Sequence, residues 1–189
     1  MNIEITVANP AHSRYVQELC RLYIESAKER GIGIALRKAE YLQEKIDKRM
    51  AIIALAENKL AGFCYIESWS HGRYVANSGL IVVSDFRKQG LAKAIKKQAF
   101  QLARNRFPDA RVFGITTSLA VMRINSDLGY RPVTFSELTQ DETFWNGCRS
   151  CPNYEILQRN KRKLCLCTGM LAPSKVEEEV SKMKKENHV

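Results

Sequence analysis

The chain has 189 residues, of which 45% are hydrophobic, enough for one domain with a sizeable core. It contains no run of about 18 apolar residues, and its start, Met1-Asn2-Ile3-Glu4, lacks both a basic region and an apolar signal segment, so a soluble, cytoplasmic protein with no membrane partner is expected. Thirty Lys and Arg against 20 Asp and Glu leave a net charge of +10, which suits a polyanionic partner, a phosphate-bearing small molecule or RNA; ordinary solvated surface accounts for much of the surplus, and nucleic acid is not the expected partner.

Ile3, Ile5 and Val7 alternate with polar residues, as in a half-buried strand. Asn9-Pro10 supplies an N-cap and a first-turn proline, and Val16, Leu19, Tyr23, Ile24 and Ala27 share one face of a helix that ends at Gly31. Gly31-Ile32-Gly33-Ile34 then reads as a flexible apolar connection to a second short helix marked by Tyr41, Leu42, Lys45, Ile46 and Arg49. Met50 to Ala56 is a continuous apolar strand, Glu57-Asn58-Lys59 a turn, and Leu60 to Trp69 the second arm of a hairpin. After Ser70-His71-Gly72-Arg73, residues Tyr74 to Val83 form a further strand. A helix from about Gly90 to Arg106 stops at Phe107-Pro108, because proline cannot continue it. Arg111 to Thr117 is the next strand; Ser118 caps a helix of Val121, Ile124 and Leu128 that ends at Gly129, and Gly129-Tyr130 opens an extended segment through Phe135. The order β-α-α-β-β-β-α-β-α-β describes an antiparallel meander feeding a βα unit.

The junction between the third of those strands and its helix carries the chemistry. The apolar run Leu80 to Val83 breaks at Ser84-Asp85, and a basic loop with one glycine, Gly90, opens the helix that continues with Ile95, Ala99 and Leu102. Gly90 allows a close backbone approach, and the free N–H groups and dipole of the helix start favour phosphate oxygens. A plain strand-to-helix turn with solvated lysines fits the spacing equally. The full string Val82-x4-Arg87-x2-Gly90-x-Ala92-x2-Ile95, however, resembles the acetyl-CoA signature of the GNAT superfamily of acyl-CoA N-acyltransferases, whose core is Gln/Arg-x-x-Gly-x-Gly/Ala. Ser84 stands where a proline is common, and Ala92 takes the second small position. Neither a G-x-G-x-x-G nor a Walker string is present.

The resemblance extends to the element order over roughly residues 1–145 and implies an α/β (α+β) fold. A mixed central sheet would join an antiparallel N-terminal meander to a βα acyl-CoA loop, with helices on both faces. It implies an acyl-CoA-dependent N-acyltransferase that uses acetyl-CoA or another acyl-CoA, succinyl-CoA included, on the primary amine of a small molecule, an amino acid being one case. The alternatives are a GNAT protein acting on protein or RNA, and a CoA-binding regulator without turnover. By the same resemblance the first two helices wall the acceptor site, Ile81, Val82 and Val83 pair with pantetheine, and Arg87, Lys88, Gln89, Gly90, Leu91, Ala92 and Lys93 hold the pyrophosphate, mostly by backbone. The tyrosine that protonates the thiolate in many members, aligned on Gly129-Tyr130, falls on Asn125. Asparagine can donate a hydrogen bond to sulfur but cannot act as an acid at neutral pH, so solvent or another donor is needed. Residues Tyr74 to Val83 carry no carboxylate, which leaves Glu67 ahead of His71 as the expected base. Arg37, Ser78, Thr116, Thr117 and Arg123 are the acceptor-binding candidates.

Of six cysteines, Cys20 and Cys64 read as small core residues. Cys148-x2-Cys151-x13-Cys165-x-Cys167 has two close pairs and a short loop, as in a structural zinc site; reduced free thiols and redox or iron–sulfur chemistry are the alternatives. The chain accordingly divides into an acyltransferase domain, 1–145, a cysteine-rich extension, 146–172, and a charged helix or tail, 173–189. That last segment opens on the capping box Ser174-Lys175-Val176-Glu177 and has a narrow apolar stripe, Val176, Val180 and Met183, which docks on the domain or a second subunit of a homodimer, or frays.

Overall fold

A computed structural model describes residues 2–30 and 37–186; the expected connection Gly31-Ile32-Gly33-Ile34 lies outside the described residues. Strand β1 (Ile3–Val7) leads through a 3-10 turn at Pro10–Tyr15 into α1 (Val16–Arg30), followed by α2 (Ala39–Asp47). Asn9 caps the 3-10 turn, its side chain accepting from the Ala11 N–H at 3.0 Å. Next come β2 (Ala51–Ala56), β3 (Lys59–Trp69) and β4 (Tyr74–Val82), then α3 (Leu91–Arg106), β5 (Arg111–Thr116), α4 (Leu119–Asp127) and β6 (Arg131–Val133). The chain closes with α5 (Glu142–Asn146), α6 (Tyr154–Arg159), β7 (Thr168–Ala172) and α7 (Lys175–Glu186).

The strands form one sheet in the order β1-β2-β3-β4-β5-β7-β6. Only the β4–β5 pairing is parallel among the described strands. Side chains alternate between its faces, as the period of a strand requires. Ile52 and Ala54 of β2 and Cys64 and Ile66 of β3 pack with Ile95 and Ala99 of α3 on one face. Ile53, Leu55, Phe63 and Tyr65 pack with Leu19, Leu42 and Ile46 of α1 and α2 on the other. Coverage of both faces is the reason β2 reads as an unbroken apolar run.

The expected boundary after residue 145 does not divide the sheet. β7, from the segment assigned to a cysteine-rich extension, lies between β5 and β6, pairing Val112 with Ala172 and Thr116 with Thr168 on one side and Arg131 with Leu171 on the other. Met170, Leu171 and Ala172 are buried there. Short and without β-branched residues beyond Thr168, the run Thr-Gly-Met-Leu-Ala gave no strand signal of its own; an apolar slot beside β5 makes it one. α7 is fastened at its first turn. Glu177 holds the Ser174 N–H at 2.9 Å and Arg111 Nη2 at 2.6 Å, and Glu178 pairs with Arg104. Val176, Val180 and Met183 remain exposed.

A chain truncated after residue 145 is therefore expected to lose its cooperative thermal transition, because β5 and β6 would face an empty slot. Circular dichroism melting of the truncated and full chains is the measurement, and an unchanged sharp transition would argue for an independent domain.

Candidate functional site

β4 and β5 pair only from Tyr74–Arg111 to Ala76–Phe113 and then part. The cause sits in β4. Phe63 pairs with Ile81 and Tyr65 with Ser78, so Gly79 and Leu80 face the single residue Cys64, a bulge that bends the strand. Gly79 has φ +67, and a Cβ added to it would lie 2.1 Å from the Tyr65 ring. Its carbonyl accepts a hydrogen bond from the Tyr23 hydroxyl of α1, which holds the bulge in place.

Beyond the split lies a cavity of about 850 Å³. Asn77 to Leu80 line one wall and Gly114 to Thr116 the opposite one; Lys96 of α3 and Val121 and Asn125 of α4 close one end. Arg37, Tyr41, Tyr65 and Glu67 form the end toward α2, and residues 143–151 with Asn153, Tyr154, Leu157, Cys165 and Cys167 complete the rim. At the α2 end, Arg37 Nε donates to the Tyr65 hydroxyl at 2.6 Å, and the Tyr41 hydroxyl donates to Glu67 Oε2 at 2.6 Å. Lys45 makes an ion pair with Glu67 Oε1. Burial is the largest cause of the raised phenol pKa values of Tyr23, Tyr41 and Tyr65.

Of the sequence candidates, Glu67, Asn125, Arg37, Ser78 and Thr116 meet in this cavity. Thr117 is half-buried outside its lining, and Arg123 is exposed on α4 outside it too. Ile81, Val82 and Val83 also lie outside the lining: Ile81 is buried against the α1–α2 core, and the Val82 carbonyl accepts from Arg87 Nε at 3.1 Å. Four residues of the same strand, Asn77 to Leu80, line the cavity. Tyr23, Tyr41, Lys45, Asn77 and Lys96 carry polar groups of the site that the sequence reading did not assign to it. A lysine on the same helical face as Ala92, Ala99 and Ala103 was the one available signal for Lys96.

The loop before α3 is shaped by backbone. Lys88 and Gly90 have φ of 62° and 78°, and Gly90 caps α3 without any side-chain cap, leaving the first-turn N–H groups open. Its side chains are turned onto the protein: Arg87 reaches Glu29 at 3.3 Å, Gln89 Nε2 the Asp85 carbonyl at 3.0 Å, and Lys93 pairs with Asp127 at 2.7 Å. Leu91 is buried beneath, which anchors the turn, and Ala92 is half-buried.

Cys148, Cys151, Cys165 and Cys167 all reach the cavity wall. Among the described residues, however, no group of three or more His, Cys, Asp or Glu side chains is placed to hold a metal ion, so the zinc expectation finds no support. Cys148, Cys165 and Cys167 instead pack against a cluster of Phe135, Trp145, Leu157 and Leu171, so docking on the sheet orders the segment that a metal was invoked to crosslink. Burial first, then the neighbouring thiols, pushes Cys148 up to about 11 and Cys167 up to about 12.

A model of the family described as acetyltransferase (GNAT) matches residues 16–120. Among solved structures, the chain is similar to N-acetylglutamate synthase from Neisseria gonorrhoeae complexed with coenzyme A and N-acetyl-glutamate, with 17% identity and a TM-score of 0.64 over 92% of this chain and 35% of that one. It thus spans about a third of that enzyme's length. A Mycobacterium tuberculosis protein in complex with CoA gives 18% identity and a TM-score of 0.63 over 90% of this chain and 98% of that one. Diaminobutyrate acetyltransferase from Paenibacillus lautus, in complex with L-2,4-diaminobutyric acid and coenzyme A, gives 14% and 0.60 over 91% and 95%. At these identities the likeness is one of fold. Among curated proteins no sequence match is found.

Two outcomes follow from this geometry. Gly79→Ala combines a strained φ with overpacking against Tyr65, and should lower unfolding stability by roughly 2–4 kcal/mol in urea titrations. Cys148 and Cys167, kept protonated through neutral pH, should alkylate with iodoacetamide at pH 7.5 on the order of a hundredfold more slowly than a free thiol. Peptide mass analysis of the time course reads the rates.

Proposed function

The chain belongs to the acetyltransferase (GNAT) family, and from that premise we propose that it transfers an acyl group, acetyl in the first instance, from acyl-CoA to the primary amine of a small molecule, an amino acid being the favoured class. The observation that carries this reading is the cavity opened by the parting of β4 and β5, on the strand that the chain follows into the uncapped turn at Gly90. A pantetheine arm fits along the stretch Asn77 to Leu80, where β5 offers no pairing. The open N–H groups from Lys88 to Lys93 suit the pyrophosphate. That two of the similar structures are named for acyl transfer to amino acids supports the acceptor class.

Acyl transfer needs a deprotonated amine, a polarised thioester carbonyl and a proton for the departing thiolate. Glu67 supplies a carboxylate at the acceptor end of the cavity, where it draws the ammonium of the acceptor and takes its proton. Arg37, lining the same end, offers a cation for an acceptor carboxylate, with Ser78 and Thr116 as hydroxyl partners. Asn125 directs its amide toward the sulfur end. The tyrosines at the acceptor end, made less acidic by burial, orient rather than donate protons.

Acetyl-CoA should raise the melting temperature by binding only the native state, and thiol release from acetyl-CoA and succinyl-CoA across amino acids, polyamines and peptides should identify acceptor and acyl group. Glu67→Gln should lower kcat by about a hundredfold or more. Because this change leaves Lys45 without its partner, Lys45→Met combined with Glu67→Gln serves as the folding control. No thermal shift with either thioester would reject the acyl-CoA reading.

A further inference from the structure

We propose that Lys96 is the proton donor to the CoA thiolate that departs in acyl transfer, a role that rests on the acyltransferase reading above. Two charged side chains are buried among the described residues, Lys45 and Lys96. Lys45 has Glu67 as its counter-ion. Lys96 has none among the described residues: it is 2% exposed, in the middle of α3, and the one hydrogen bond it makes with them runs from Nζ to the Asn77 carbonyl at 3.3 Å. An ammonium taken from water without a counter-ion is costly, and two of its three donors remain unused at the cavity wall.

The surroundings point to a ligand. Asn77 Nδ2, Asn125 Oδ1 and the Tyr130 hydroxyl are buried without a hydrogen-bond partner. An added Cβ on Gly114 would lie 3.4 Å from the Asn77 carbonyl and 3.8 Å from Asn125 Nδ2. The carbonyl that holds Lys96, the Asn125 amide and the bare backbone of Gly114 therefore meet where β4 and β5 have just parted. A sulfur arriving through that gap would find an ammonium and an amide donor together.

The groups facing Lys96 from the packed elements are few. β3 contributes the Cys64 thiol, pushed up to about 11 by burial, and the turn after α4 contributes Tyr130, whose phenol burial also raises. β4 and α4 contribute only the amides Asn77 and Asn125; Arg104 lies farther along α3 itself. Desolvation lowers the Lys96 ammonium from the usual lysine value, and no carboxylate offsets it. The same burial that weakens the tyrosines as acids strengthens this lysine. It donates while pH stays below its lowered pKa, and the capacity is lost as pH rises through that value.

In the step itself, the acceptor nitrogen bonds to the acyl carbon, the carbon–sulfur bond breaks with its electron pair on sulfur, and Nζ gives that sulfur one proton. The neutral amine of Lys96 then regains a proton from cleft water, matching the one that the acceptor nitrogen released.

The test needs no identified acceptor. CoA is bound to wild type, Lys96→Met and Lys96→Arg, and thiolate absorbance is followed against pH, with the desulfo-CoA complex as blank for the protein's own thiols. Wild type and Lys96→Arg should hold the bound thiol about 1–3 pH units below its value in Lys96→Met. With acetyl-CoA and the best amine of the panel, Lys96→Met should lose on the order of 10²–10⁴ in kcat with little change in KM for acetyl-CoA. Lys96→Arg should stay comparably slow, since guanidinium keeps its charge but does not release its proton. Lys96→Met should also melt higher than wild type, which separates the kinetic loss from misfolding. CoA bound with the same thiol titration in wild type and Lys96→Met would overturn the assignment of Lys96 alone. Absence of CoA binding to wild type by calorimetry would overturn the acyltransferase reading beneath it.

Discussion

The bulge at Gly79 is the constraint on which the rest of the site depends. Two residues of β4 stand opposite Cys64, and a positive φ that only glycine adopts without strain turns the strand off the line of β5. Everything placed in the cavity follows from that parting: the unpaired stretch of β4, the access from α3 and α4, and the end under α2. Tyr23 donates to the Gly79 carbonyl and Tyr65 fills the space a Cβ would occupy, so the bend is held by packing from the α1–α2 layer rather than by the strand itself. A close fit at one glycine thereby couples core packing to the shape of the site.

The two buried lysines show how the same residue type takes opposite roles. Lys45, paired with Glu67 and lying beside the Tyr41 ring, is fixed as part of a charged lattice at the α2 end of the cavity. Lys96 faces amides, a carbonyl and a thiol, none of which neutralises it at neutral pH. Removing Glu67 would strand a charge, whereas replacing Lys96 by a methionine would remove one already stranded. Stability and activity should therefore move in opposite directions at Lys96.

The C-terminal segment contributes to both fold and site. β7 completes the sheet between β5 and β6, and the turns before it carry Trp145, Cys148 and Cys167 to the cavity rim. The Trp145 indole N–H donates to the Thr139 carbonyl at 2.8 Å, locking the ring over the Phe135 and Leu138 side of the cluster. Three of the four cysteines that read as a separate metal module, Cys148, Cys165 and Cys167, thus pack into an apolar cluster.

Periodicity and punctuation in the sequence determined most of the architecture. The alternation of Ile3, Ile5 and Val7, the stop at Phe107-Pro108, the cap at Ser118 and the string around Gly90 each reflect local backbone preferences, and the observed elements agree with them. Arg37, Ser78 and Thr116 were legible as site candidates because strand ends and helix starts border a cleft, whereas Asn125 and Glu67 were reached through the family resemblance. What local pattern could not decide was which residues meet across the fold. The insertion of β7 beside β5, the lining of the cavity by Asn77–Leu80 and the burial of Lys96 depend on pairing between segments distant in the chain. Strand order and burial of charge are settled by which surfaces are left to cover, and that is a property of the assembled sheet.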